Sequence, residues 1–503
     1  MIFIPEVNLD QYSITEDIMQ YLSEDLIKKY RIVPVLKLLD RITIATRKPT
    51  DITMFKAVER FLQPKFTLDI IYADEISIEN VINYYFRSSN DLDEALSYMP
   101  EEKESTDSST SVVAHPVDPQ EAPIVNLVRL IIQQAVVSGA SDIHVCPMKH
   151  ESLVRIRIDG ELQEIKRYSI RLHQAVVSRV KIMGHMDIAE SRIPQDGQAK
   201  VDVMSKAYEL RVSTLPTANG ENIVIRILDP SRVQYALDSI GLSSYDYNII
   251  KKMINLPYGM MLVTGPTGSG KTSTLFTMLN TINDVSTNII TLEDPVEFEI
   301  PLVRQVQVNV RAGLTFAAGL RSILRQDPDV IMVGEIRDLE TAELAVRSAL
   351  TGHLVLSTLH TNDAPSSISR LIDMGIEPFL VAASVTCIVA QRLVRKICSN
   401  CKVPYKCPPD LLHDLNLPSD QTVYIGKGCK KCLDTGYSGR IAIFEIMPIT
   451  EEIREKVTHQ ATTREIRDLA LEQGMVTLRQ AAIQKLKDGL TSPQEAISKT
   501  SFI

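Results

Sequence analysis

The 503-residue sequence has no tryptophan, and aromatic residues make up only 5% of it. Stacking single-stranded nucleic acid takes aromatic platforms along a basic groove, and a chain with a net charge of −9 offers neither. No run of 18 apolar residues is present, nor a leading basic-then-apolar segment near Met1. Neither a membrane-spanning helix nor a secretion signal is therefore expected. The longest apolar stretch, residues 379–390, carries Ser384 and Thr386, and its length predicts a buried core helix. Together these absences predict a cytoplasmic protein whose contact with any membrane is peripheral and which does not bind nucleic acid.

Most of the negative charge is local. Residues 87–121 hold nine acids against Arg87 and Lys103, with Ser, Thr and Pro between them. Such a segment buries too little apolar surface to offset its chain entropy, which predicts a flexible acidic linker. It separates a small α/β domain at 1–86, expected to serve in docking, from the rest. Residues 14–27 follow a helical pattern there, and 32–39, 41–46 and 66–72 read as strands, with a last helix near 78–86. From 122 to 234 the pattern is that of an α+β middle domain. A helix over 124–137 precedes strands bearing Arg155 and Arg157 on one face, and further strands carry Arg211 and Arg226. From 235 to 503 helices and strands alternate, the signature of an α/β domain with a parallel sheet and covering helices.

That last region contains the most informative motif. Gly265, Pro266, Thr267, Gly268, Ser269, Gly270, Lys271 and Thr272, followed by Ser273, lie between an apolar strand and a helix expected over 271–282. Glycines without a Cβ let successive N–H groups turn onto a phosphate at the positive end of a helix. Lys271 is then placed to reach the β- and γ-oxygens, and the Thr272 hydroxyl to ligate Mg²⁺. Strands are expected over 288–292, 329–334 and 353–358. Glu335 follows one of them, at the edge of a parallel sheet where ligands bind, and is the candidate to orient or deprotonate an attacking water. Gly334 stands where many phosphate-loop enzymes carry a Mg²⁺-directed aspartate, so Glu293, Asp294 and Glu297 become candidates to assist the metal. His353 and His360 bracket another apolar strand and are candidate sensors of nucleotide state. Cys398, Cys401, Cys429 and Cys432 form two CxxC pairs separated by 27 residues, a spacing that suits a tetrahedral Zn²⁺ site within an insertion at 397–434. Cys407 is a competing ligand, Cys146 and Cys387 read as core residues, and a helical region is expected from the end of the insertion to about residue 500.

The phosphate loop, the stretch Leu292 to Pro295, the stretch Asp327 to Asp338, Thr351 to His353, the CxxC pairs and Gly436 to Arg440 together resemble the ATPases of bacterial type II secretion and type IV pilus assembly. The resemblance covers about residues 120–500. It implies a RecA-like ATPase core and a PAS-like middle domain. It implies a homo-hexamer that hydrolyses ATP and pairs through its N-terminal domain with membrane proteins of the secretion or pilus apparatus. In this family the middle domain lends arginines to a phosphate site, which makes Arg211 and Arg226 candidate arginine fingers. The resemblance also places Glu293 in an acidic box, Glu335 as the hydrolytic carboxylate, and His353 and His360 in a histidine box. Residues 1–86 resemble only the later half of a domain that binds a cyclic dinucleotide in longer relatives, so that ligand is not expected. A nucleic-acid-dependent motor and a nucleotide-gated scaffold with negligible turnover are the alternatives.

Overall fold

The computed structural model describes residues 9, 14, 16–19, 21–38, 40–62, 66–75, 77–78, 81–82, 122–204, 206–229, 236–415, 417–418 and 421–500. The acidic segment at 87–121 and most of the helix expected near 78–86 lie outside them. The chain divides into two units, Met1–Asp229 and Pro230–Ile503.

The first unit contains two sheets. In the N-terminal one, β1 (Ile32–Leu38), β2 (Arg41–Thr46) and β3 (Thr67–Tyr72) lie in that order. β1 and β2 are antiparallel, and the helix Ile52–Leu62 carries the chain across to a parallel β3. The helical pattern over 14–27 resolves into two helices, Glu16–Met19 and Glu24–Tyr30. Ser23 starts the second by accepting a hydrogen bond from Leu26 N, which interrupts a continuous helix. Ile27, Ile32, Ile42, Ile44, Met54 and Val58 form its core.

The second sheet is antiparallel throughout. It is built from β4 (Asp142–Pro147), β5 (Glu151–Ile158), β6 (Glu161–Ser169), β7 (Gln195–Val203), β8 (Lys206–Thr217) and β9 (Gly220–Leu228), in the order β6-β5-β4-β9-β8-β7. Its residues alternate. Ile143, Val145, Val154, Ile156, Leu210, Val212, Ile223 and Ile225 are buried in one cluster with the helices Ala122–Val137 and His173–Met183. The arginines therefore take the opposite face. Beneath the helices, Lys181 and Glu221 form a buried ion pair at 2.6 Å, and Lys181 Nζ also donates to Glu190 O at 2.7 Å. A pair this desolvated gains little net stability, but it fixes how the 185–195 loop leaves the helix.

The second unit is built on a seven-stranded sheet in the order β12-β11-β13-β14-β10-β15-β18. The strands are β10 (Gly259–Thr264), β11 (Ile289–Glu293), β12 (Arg304–Gln307), β13 (Val330–Val333), β14 (Leu354–Leu359), β15 (Val385–Ile397) and β18 (Tyr437–Pro448). All neighbours run parallel except β15 and β18. Every residue of β10, β11, β13 and β14 is buried, as a sheet covered by helices on both faces requires. Separate hydrophobic clusters occupy its two faces.

Two expectations fail here. Residues 379–390 are not one core helix: a helix, Pro378–Ser384, gives way to β15. An apolar run does not itself distinguish a buried helix from a buried strand, and pairing with β10 on one side and β18 on the other decides in favour of the strand. The region after the cysteine insertion is likewise not purely helical, because it opens with β18. Only then follow the helices Glu451–Thr458, Thr463–Glu472, Leu478–Lys487 and Pro493–Ser498, capped by Thr450, Thr462, Thr477 and Ser492. The insertion itself holds a two-stranded sheet, β16 (Lys402–Tyr405) with β17 (Val423–Gly426). Among the described residues no helix is long and apolar enough to cross a membrane.

Candidate nucleotide site and cysteine cluster

The loop after β10 has the backbone of a phosphate cradle. Gly265, Gly268 and Gly270 have φ of 151°, 78° and 89°. At Gly265 a Cβ would stand 2.5 Å from the Gln391 carbonyl oxygen, so no side chain fits. The helix Lys271–Ile282 begins immediately afterwards with no side chain capping its first turn, which leaves its N–H groups facing the loop. Ser269 is buried and its Oγ has no hydrogen-bond partner among the described residues. Pro266, Thr267 and Gly268 are exposed, as is Ser273, and Thr272 is half-buried. Lys271 is buried, with Nζ donating to Gly265 O at 2.8 Å and Pro266 O at 3.2 Å. Burial pushes its pKa down to about 8, against the pull of the Glu335 carboxylate and with a further push from Arg392.

Glu335 and His360 come to the same sheet edge as the loop. Glu335 lies two residues beyond β13, and His360 directly follows β14, the strand between β13 and β10. His360 Nε2 is 3.5 Å from Glu335 Oε2, and Arg337 Nη2 is 2.6 Å from Oε1. Burial lowers the pKa of His360, and Lys271 lowers it further, which favours the neutral ring. Glu293 ends β11 at this edge. It is buried, accepting from Thr291 Oγ1 at 2.6 Å and Gln305 Nε2 at 3.0 Å, and burial raises its carboxyl above the usual range. Gly334 adjoins it, donating N–H to Leu292 O at 2.8 Å.

His353 is not brought to this edge. It stands before β14, where its carbonyl accepts from Gly259 N at the start of β10 and its Nδ1 lies 3.0 Å from Ser348 O. The length of β14, about 20 Å at 3.3 Å per residue, separates it from His360.

Arg211 and Arg226 belong to the first unit and are register partners on β8 and β9. The same row continues through Asp142 on β4 to Arg157 on β5. Asp142 sits between two guanidinium groups, 3.2 Å from Arg226 Nε and 3.8 Å from Arg157 Nε. Arg155 lies one step along the same face and donates to Cys146 Sγ at 3.3 Å. Arg226 is 59% exposed and presents its charge outward.

The sulfurs of Cys398, Cys401, Cys429 and Cys432 all lie within 4.8 Å of one another. Cys398–Cys429, Cys401–Cys432 and Cys429–Cys432 are 3.9, 3.8 and 3.7 Å apart. The Asn400 side-chain amide donates to Cys429 Sγ at 3.3 Å, and Cys429 N and Gly436 N each donate to Cys432 Sγ at 3.2 Å. The Asn400 contact is the first cause holding the Cys429 thiol down to about 6. Cys407 is buried in the hydrophobic cluster outside this group, and burial pushes its thiol up.

Residues 118–498 match the family described as "Type II/IV secretion system protein". The chain belongs to that family. It is 42% identical to the type IV pilus assembly ATPase PilB of Myxococcus xanthus, over 99% of this chain and 89% of that protein. To the type II secretion system protein E of Aeromonas hydrophila it is 45% identical, over 76% of each. Among solved structures, the pilus retraction motor PilT with bound ADP superposes with a TM-score of 0.52 and 26% identity, covering 74% of this chain and 96% of PilT. The DotB ATPase of Legionella pneumophila, at 21% identity and a TM-score of 0.56, over 74% of this chain and 95% of DotB, shares the fold. The second unit is thus a RecA-like core, and the chain is an ATP hydrolase of the secretion and pilus type. Residues 3–92 match a second family, described as "MshEN domain".

Some residues at the site escaped sequence reading. Arg337 lies inside a stretch that carries the family resemblance, but only the structure pairs it with Glu335. Gln391 and Arg392 follow the apolar run 379–390, whose composition suits a helix as well as a strand, so their position under the loop is not legible in the sequence. Gln391 Oε1 accepts from Thr274 Oγ1 at 2.7 Å, and Arg392 Nη2 reaches Asn362 O and Oδ1, each at 3.1 Å.

Proposed function

We propose that the chain works as a hexameric motor whose ATP hydrolysis drives assembly of a pilus or pseudopilus at the inner membrane, from the cytoplasmic side. The observation that carries this reading is the convergence of the glycine loop, Lys271, Glu335 and His360 on one sheet edge in a chain whose relatives include both pilus and type II secretion ATPases. In it, the backbone N–H groups of residues 265–273, Pro266 having none, and Lys271 hold the β- and γ-phosphates. Glu335 orients a water in line with the γ-phosphorus and accepts its proton as the bond to the β,γ-bridging oxygen breaks. In this reading His360 registers whether the γ-phosphate is present, and His353, at the far end of the strand, acts there only indirectly. Thr272 would hold Mg²⁺, with Glu293 assisting, and the ion when bound neutralises charge on the phosphate oxygens. Arg211 and Arg226 complete the site from a middle domain.

The cysteine cluster fits Zn²⁺. Four thiolates at about 2.3 Å from a tetrahedral ion stand about 3.8 Å from each other, close to the 3.7–3.9 Å of three of the sulfur pairs, with all four sulfurs within 4.8 Å. The metal would hold the insertion's fold, outside the chemistry. The N-terminal module is read as the docking site for a membrane protein of the apparatus. Its match to the MshEN domain weighs against the expectation that no cyclic dinucleotide binds, and makes that ligand class part of this reading.

The test is a pair of substitutions. Lys271→Ala is expected to abolish hydrolysis with the fold intact. Glu335→Gln is expected to retain ATP binding and lower kcat by about 10²–10³. Normal turnover in either variant refutes the site.

A further inference from the structure

Five consecutive residues after β14 reach five different parts of the second unit. His360 stands beside Glu335. The Thr361 hydroxyl meets Thr264 Oγ1, at the end of β10, and Ser367 Oγ, both at 2.6 Å. Asn362 receives the Arg392 guanidinium. The Asp363 carboxylate, 5% exposed, accepts from Ser366 N at 2.8 Å and pairs with Arg467 on the helix Thr463–Glu472. Ala364 N donates to Glu445 Oε1 at 2.8 Å, and the other oxygen of Glu445 accepts from Leu478 N at 3.2 Å, at the start of the helix Leu478–Lys487.

The Asp363 contact differs from the others in kind. A buried carboxylate is costly unless a cation compensates it, and the cation comes from a helix 104 residues further along the chain. A second contact, Ser369 Oγ to Thr463 Oγ1 at 2.7 Å, ties the helix Pro365–Asp373, which begins just after Asp363, to the helix Thr463–Glu472. The backbone is also held, with Thr361 N donating to Thr264 Oγ1, Asn362 O accepting from Arg392 and Asp363 O accepting from Ser367 Oγ, which leaves His360, at the start of the segment, little freedom relative to Glu335.

We propose that Arg467 is a positioning residue for ATP hydrolysis. Its ion pair with Asp363 fixes segment 360–364, and with it the stance of His360 against Glu335, so the C-terminal helices and the catalytic edge move as one body. This rests on the reading that Glu335 and His360 serve hydrolysis. Arg467 touches neither nucleotide loop nor Glu335, so its effect falls on the rate and not on nucleotide affinity.

The experiment uses the full chain as Arg467→Gln, Arg467→Lys, His360→Gln and the double variant Arg467→Gln/His360→Gln, with Lys271→Ala as reference. Steady-state ATP hydrolysis is read beside the affinity for fluorescent mant-ADP. Displacing catalytic groups by a fraction of an ångström costs about tenfold in rate, so Arg467→Gln is expected to lower kcat by about tenfold, with KM and mant-ADP affinity within about twofold. Arg467→Lys is expected to recover most of the rate. In the His360→Gln background, Arg467→Gln is expected to cost less than about twofold more, because both act through one element. An unchanged kcat, a loss of mant-ADP binding in step with the rate, or the full tenfold loss on top of His360→Gln each overturns the proposal. If Arg467→Gln does not fold, Asp363→Asn, which keeps an acceptor for Ser366 and removes the charge facing Arg467, carries the same expectations. Normal turnover in Lys271→Ala would instead sink the reading of the site itself.

Discussion

At Lys271, burial holds the ammonium near a pKa of about 8, while phosphate oxygens favour the charged form. The sign follows. Below pH 8 the lysine is already protonated and nucleotide affinity is insensitive to pH. Above it, binding must take up a proton, and the Kd for mant-ADP is expected to rise by up to about tenfold per pH unit. Titrations between pH 7 and 9.5 check this, with Lys271→Arg as the control whose profile stays flat, since guanidinium keeps its charge. The loop and Glu335 were readable in the sequence because their chemistry needs particular residues at close spacing. The pairing of Arg211 with Arg226 was not, since register between β8 and β9 is set by long-range pairing. His353 misled for a related reason: a strand has two ends, and only one faces the phosphate.

Among the elements, the insertion with β16 and β17 has the clearest dependence on one cluster. Its two-stranded sheet is small, and two-stranded sheets are marginal alone in water. Purified chain is expected to contain about one zinc, measured by plasma mass spectrometry, and Cys398→Ser or Cys432→Ser to lose it together with several degrees of melting temperature. Cys407→Ser is expected to keep the metal; zinc lost there as well would mean the ligand set is wrong. The cysteine pairs were legible because ligand spacing is local. β15 was not, because its Val385, Ile388 and Val389 suit either a buried strand or a buried helix until a neighbouring strand claims them. The strand order of the sheet, with β10 between β14 and β15, follows from crossovers that no short window of sequence contains.

For the molecule as a whole, the question is whether one chain can complete its own site. The arginine row lies in the unit ending at Asp229 and the phosphate loop in the unit starting at Pro230. If the arginines act across a subunit boundary, Arg226→Ala and Lys271→Ala chains are each expected to be nearly inactive alone, and mixtures to recover part of the turnover. Additive, near-zero rates on mixing would place the arginines in the same chain as the loop they serve. Among the strands, β15 has a further consequence. Its first residues pair with β10, Gln391 and Arg392 support the nucleotide loop, and seven residues past the last pairing with β10, at Ile397, it delivers the chain to Cys398 with β18 alongside. A stiff ribbon anchored at its root behaves as a pointer: a slight tilt beneath the loop swings the cysteine lobe, about 23 Å further out at 3.3 Å per residue, through a wider arc.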